Sequence, residues 1–160
     1  MFRDLKPENI GLCYDDTVKL FDFGLAKELK HEDRIGPNQY YATPKTGTKR
    51  YMAPEIYSFE GIYGLPADVF SFSLILWEML SLQTPFEGLS LHDHALETYV
   101  KKNRPKLRNR KWPDEIKSFI KDGWHHNAQR RPEMCVIYHT LTAYLKAKGW
   151  QVMDSSADLP

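Results

Sequence analysis

Cysteine is scarce: Cys13 and Cys135 are the only two in 160 residues, too few for the disulfide frameworks that hold small secreted domains together. With no signal-peptide pattern at the start, a reducing intracellular setting is expected, chiefly the cytoplasm, with the nucleus also open. A surplus of either charge is missing as well. The 22 lysines and arginines nearly balance 21 aspartates and glutamates, for a formal net charge of +1, which gives no global pull towards nucleic acid or an anionic membrane. Long apolar runs are lacking too. The best stretch is interrupted by Glu78 and flanked by Asp68, so no membrane partner is expected. Repeats and low-complexity tracts are absent. What is present is a 42% hydrophobic, 13% aromatic chain, long enough to bury the core of about one domain.

The chemistry-bearing residues crowd into one stretch. It reads Arg3-Asp4-Leu5-Lys6-Pro7-Glu8-Asn9, then a hairpin-like segment ending in the strand-like Val18-Lys19-Leu20-Phe21, then Asp22-Phe23-Gly24. A hairpin can bring one amide and two carboxylates together at its end. Such a set suits phosphoryl transfer: magnesium takes hard oxygen ligands and shares them with phosphates, so Asn9 and Asp22 could supply the protein's share. A carboxylate off the metal, Asp4, can orient a hydroxyl and take its proton, while the Lys6 ammonium offsets charge on the moving group.

Phe2-Arg3-Asp4 with Asn9, Asp22-Phe23-Gly24 and Ala53-Pro54-Glu55 stand in the order and spacing of H-R-D-x-x-x-x-N, D-F-G and A-P-E. The chain therefore resembles the eukaryotic protein kinases. The resemblance implies a mainly α fold, the helical C-terminal lobe of a kinase with a small β-hairpin near the catalytic loop, the N-terminal lobe being absent. It covers residues 1–148 as a partial kinase domain and leaves 149–160 as a frayed tail. No Gly-rich loop, V-A-I-K lysine or helix leading into the catalytic loop precedes Met1, so a fragment of a larger kinase is expected. Its surface towards the missing lobe would be apolar and open to a partner or to self-association.

The same resemblance implies roles. Asp4, Lys6 and Thr48 would be catalytic, Lys6, Asn9 and Asp22 would bind ATP, and Asn9 and Asp22 would hold Mg2+. Arg3 would neutralise a phosphate on the activation segment, within which Tyr40, Tyr41, Thr43 and Thr46 are candidate modified hydroxyls. Phe2, in the histidine position, is expected to pack under Phe23, beside Gly24. Gly11 departs from the pattern, since many members place a large apolar residue there beneath the adenine. Asp68 would hold the catalytic-loop backbone, and Arg131 would pair with Glu55. Lys6 within Asp4-Leu5-Lys6-Pro7-Glu8-Asn9 resembles the serine/threonine kinases. Tyr51–Glu55 and Asp68–Phe72 look closest to their tyrosine-kinase-like group, although Ser73 replaces that group's usual glycine.

The remaining elements follow from periodicity. Residues 22–55 read as a polar segment broken by Gly36, Pro37, Pro44 and Gly47. Pro66–Leu80 is the strongest helix, apolar all round and expected to be buried on all sides. Ser90 caps a helix with Leu91, Ala95, Leu96 and Val100 on its inner face. Pro113 opens another helix with Ile116, Phe119, Ile120 and Trp124 inward. Arg131-Pro132 starts the last, facing the core with Met134, Ile137, Tyr138, Leu141 and Leu145. The seven basic residues of Lys101–Lys111 read as a solvated loop rather than a nucleic-acid contact, because no aromatic interleaves them. His92, His94, His125 and His126 read as surface or packing residues, lacking the ligand pattern of zinc sites.

Two functions fit. The first is transfer of the γ-phosphoryl of Mg-ATP to protein serine or threonine hydroxyls. The alternative is a kinase-derived binding module without catalysis.

Overall fold

The computed structural model describes residues 1–108 and 111–152, and of Leu91 only the backbone. Expectations for the tail beyond Val152, and for Asn109 and Arg110 in the basic run, lie outside the described residues.

A long helix, α1 (Pro66–Ser81), is the axis of the fold. Proline at its start needs no N–H partner and pre-sets φ for the first turn, and Leu82 ends it in a left-handed conformation, φ 54°. Val69, Phe70, Leu74, Ile75 and Trp77 are buried along it, and Tyr51, Met52, Ile56 and Tyr63 share one core with the last four. Burial on all sides stops short of the last turn, where Met79 is 66% exposed. Helix α3 (Asp114–Gly123) packs against α1. Its Ile116 and Ile120 are buried with Trp124 just beyond it, and Phe119 is half-buried against the same core.

Two expected helix faces differ. Ser90 caps α2 (Leu91–Ala95), accepting from the Asp93 N–H, and the chain continues as a π-helical turn, Leu96–Val100. The buried residues there are His94 and Thr98, while Leu96 and Val100 are exposed. Each buried polar group finds a partner: Thr98 Oγ1 donates to the His94 carbonyl at 2.8 Å, and His94 Nε2 lies 2.9 Å from the Arg50 carbonyl. The last helix, α4 (Met134–Ala147), begins two residues later than Arg131-Pro132 suggests. Arg131 is extended, φ −77° and ψ 141°, because its side chain is drawn into contacts described below. Of the expected inner face only Ile137 is buried; Met134, Tyr138 and Leu145 are exposed.

The β-structure is small and antiparallel. Strand β1 (Ile10–Leu12) pairs with β2 (Val18–Leu20), Gly11 facing Lys19. A second sheet of β3 (Arg34–Gly36), β4 (Gln39–Tyr41) and β5 (Ile62–Tyr63) lies within and beyond the polar segment, where strands of two or three residues leave no alternation to read. Nor is the basic run simply solvated. Arg104 is half-buried, donating from Nε to the Trp124 carbonyl at 2.8 Å, and burial first of all lowers its pKa to about 10. Its guanidinium lies 4.9 Å from the Phe70 ring, and that of Arg131 lies 5.0 Å from the same ring.

Candidate active site

Asp4 is the hub of a buried polar network at the foot of the β1–β2 hairpin. Its Oδ1 accepts from the Thr48 N–H at 2.7 Å and from Thr48 Oγ1 at 2.6 Å. Its Oδ2 is 2.9 Å from Lys6 Nζ and accepts from Asn9 Nδ2 at 3.2 Å. Lys6 also donates to Thr48 Oγ1 at 3.0 Å, and Asn9 Nδ2 to the Asp4 carbonyl at 3.0 Å. Pro7 starts a single 3-10 turn, Pro7–Asn9, which folds Lys6 and Asn9 back onto Asp4.

Charge follows from this geometry. Burial works to raise the Asp4 pKa, but the hydrogen bonds from Thr48 and Lys6, with the lysine's charge, bring it below its ordinary value. The bond to Asp4 is the leading reason that the Lys6 pKa is raised. Both groups are therefore ionised at neutral pH, a carboxylate and an ammonium in contact, with four donors converging on one carboxylate.

The loop that carries Asp4 is held from beneath. Arg3 has φ 71°, a conformation unfavourable for a side chain of its size. Asp68, in the first turn of α1, accepts from the Phe2 N–H at 2.7 Å and the Arg3 N–H at 2.8 Å, and these bonds hold the strained turn. Its carboxyl pKa is raised, first by burial, against the lowering from both N–H groups. The Arg3 guanidinium donates to the Leu25 carbonyl and to Tyr63 Oη. It is thus tied to the residues after Asp22-Phe23-Gly24, and the Phe2 and Phe23 rings meet edge to face at 5.2 Å.

Asp22 bonds elsewhere than in the Asp4 network, though its charge reaches Lys6 and helps raise that pKa. It is exposed in a left-handed conformation, φ 57°, and accepts from the Gly24 N–H at 3.2 Å. Its neighbour Phe21 is anchored, the Phe21 N–H donating to the Asn9 carbonyl at 2.8 Å. Asn9 spends its amide nitrogen on Asp4, which leaves Oδ1 as its free acceptor. An amide oxygen and an exposed carboxylate on adjoining segments are a hard-oxygen donor set, the kind that suits magnesium shared with phosphate.

Glu55 and Arg131, 76 residues apart in sequence, form a second ion pair. Both guanidinium nitrogens reach the carboxylate at 2.7 Å; Nη1 also donates to the Pro66 carbonyl at 2.7 Å and Nε to the His125 carbonyl at 2.8 Å. The candidate modified hydroxyls are spread along the segment. Thr46 Oγ1 donates to the Thr43 carbonyl at 2.9 Å, Tyr40 pairs with Tyr63 and Tyr41 with Ile62 across β4–β5.

Several contributors are not evident from the motifs. Gly47, φ 111°, lies so close to the Arg3 carbonyl that an added Cβ would stand 2.3 Å from the oxygen, and the next residue, Thr48, reaches Asp4. A glycine directly before Thr48 was the available signal. Phe21 is half exposed, and its ring covers Gly11, where a Cβ would be 2.2 Å from a ring carbon. The bulk missing at position 11 is thus supplied from β2's end. His94 is the third: besides Arg50, it holds Tyr57 Oη at 3.1 Å through Nδ1, clamping the segment after Thr48 to α2.

A family model described as the protein kinase domain matches residues 1–141. Among curated relatives, the dual specificity protein kinase shkB of Dictyostelium discoideum is 36% identical over 96% of this chain and 23% of its own length. Serine/threonine-protein kinase STY46 of Arabidopsis thaliana is 31% identical over 92% of this chain and 24% of its own. The G2-specific protein kinase nim-1 of Neurospora crassa is 31% identical over 99% and 17%. The chain thus spans about a quarter or less of the length of these relatives.

Proposed function

Because the chain belongs to the eukaryotic protein kinase family, we propose that it carries the acceptor-activating part of a serine/threonine kinase, within a helical lobe of the kinase fold. The reaction is transfer of the γ-phosphoryl of ATP to a protein serine or threonine hydroxyl. The observation that carries the reading is the convergence of Thr48, Lys6 and Asn9 on the Asp4 carboxylate.

In this mechanism the substrate hydroxyl displaces one donor from Asp4 and hydrogen-bonds to it. Ionised Asp4 orients the hydroxyl oxygen and is a weak base towards a free alcohol. It takes the proton as the new P–O bond forms and the alcohol becomes acidic, while the bond to the bridging oxygen breaks and ADP departs. Lys6, anchored between Asp4 and Thr48, places its ammonium beside the phosphoryl oxygens, where charge stabilisation in a preorganised site is most effective. Asn9 Oδ1 and Asp22 would hold magnesium, which when bound neutralises the phosphates. Lys6 within Asp4–Asn9 and its bond to Thr48 support the serine/threonine assignment.

A second reading, a kinase-derived binding module without catalysis, is favoured by the apolar strip along the hairpin. Leu12 and Val18, paired across it, are 71% and 63% exposed, a surface suited to a partner or a second copy. Phosphotransfer from labelled ATP with magnesium, comparing the chain with Asp4→Asn in samples shown to be folded, separates the two. Label transfer that vanishes in the variant is the expected result; equal transfer, or none from either protein, refutes the catalytic reading for this chain and leaves the binding module.

A further inference from the structure

One residue past Thr48 the chain borders a cavity of about 400 Å3, lined by Lys45, Lys49, Met52, Tyr57, His92 and Ala95. Its floor is apolar: Met52 is buried, and Tyr57 and Ala95 are half-buried. Its rim is basic and exposed, formed by Lys45, Lys49 and His92. No carboxylate among the described residues pairs with either ammonium; the Lys45 Nζ lies 3.7 Å over the Phe59 ring instead. The backbone here is fixed, since the Lys49 carbonyl accepts from Tyr57 Oη at 3.1 Å and His94 holds the same hydroxyl.

Position gives the cavity its meaning. Thr48 Oγ1 touches Asp4, and Lys49 is the next residue, about 3.8 Å further along the backbone. A peptide that brings a hydroxyl to Asp4 passes the cavity mouth within one or two residues, at about 3.3–3.6 Å each. A side chain from such a neighbour would meet an apolar floor and two lysines without acid partners. We infer that this cavity selects protein substrates with a glutamate or aspartate beside the acceptor serine or threonine. The methylenes of the acidic side chain lie on Met52, and its carboxylate meets Lys45 and Lys49.

The inference rests on the phosphotransfer reading of Asp4, so its test is one of binding and needs no turnover. Fluorescence anisotropy of the 160-residue chain is measured with labelled peptides that have a central serine flanked on each side by two glutamates, two glutamines or two lysines. The glutamate peptide is expected to bind about five- to tenfold more tightly than the glutamine peptide at low salt, the advantage shrinking as salt rises. Lys49→Glu should reverse the preference towards the lysine peptide. Lys148→Glu, which changes net charge equally at the C-terminal end of α4, should leave it unchanged, and thermal melts confirm that both variants fold. Equal affinity for the glutamate and glutamine peptides, no binding of either, or equal effects of the two charge reversals overturns the inference. Asp4-dependent phosphotransfer without acidic preference would refute the cavity's role and spare the kinase reading. An acidic preference without phosphotransfer would do the reverse.

Discussion

Replacing Glu55 with glutamine should destabilise the chain more than almost any other single-atom change on its surface. The carboxylate is 18% exposed, whereas the Arg131 side chain opposite is fully buried, so the substitution strands a cation that water cannot reach. Nη1 and Nε keep the carbonyls of Pro66 and His125; the amide keeps one acceptor oxygen but turns an NH2 group towards the other guanidinium nitrogen, and Nη2 has only the long contact to His126 at 3.5 Å besides the carboxylate. Breaking a buried pair costs about 3 to 5 kcal/mol; the two surviving carbonyl bonds place Glu55→Gln near about 3. For a chain of this size that corresponds to a fall in Tm of about 6 to 12 °C. Arg131→Met should cost less through charge, because the stranded carboxylate can hydrate. The double variant Glu55→Gln/Arg131→Met should then be less destabilised than the sum of the singles. Urea unfolding of the four proteins measures the cycle. A loss under about 1 kcal/mol for Glu55→Gln, or additive single effects, would refute the claim that the pair locks Ala53-Pro54-Glu55 to the helical base.

Two further outcomes follow from other contacts. His94 is buried and neutral, its pKa lowered to about 4 from 6.5, chiefly by burial. The unfolded chain therefore binds the extra proton first, so stability is complete above about pH 6.5, falls as pH drops towards 4, and is lowered by up to about 3 kcal/mol below that. His126, also lowered by burial, adds to the same slope. Unfolding free energy measured between pH 4 and 7 should flatten in His94→Gln; an unchanged slope would exclude His94 as its source. Gly47→Ala combines a positive φ with a contact to the Arg3 carbonyl that cannot give way, and should cost more than about 1 kcal/mol. It should also expose the Thr48 N–H to hydrogen exchange, and retained protection there would show that Thr48 reaches Asp4 without the glycine.

The parts of the fold legible in the sequence are those written in adjacent residues. Asp4 to Asn9 is one turn, and α1 announces itself by density of apolar side chains, so both can be located without tertiary information. The inner face of α2 could not, because hydrophobic periodicity assumes that apolar residues win the buried positions. His94 and Thr98 won instead, since their hydrogen bonds to Arg50, Tyr57 and the helix backbone are satisfied inside, and the π turn at Leu96–Val100 moves the register past Leu96. Likewise the start of α4 is set by Arg131 reaching Glu55, and the fate of Arg104 by the Phe70 ring. At the site, Asp4 is legible from the chemistry of its neighbours and Thr48 only through a resemblance. What joins them across 44 residues is the absence of a side chain at Gly47, which no count of polar or apolar residues registers. A catalytic pattern can therefore be intact in sequence while its geometry hangs on one backbone contact, and the Gly47 substitution tests that contact apart from the chemistry.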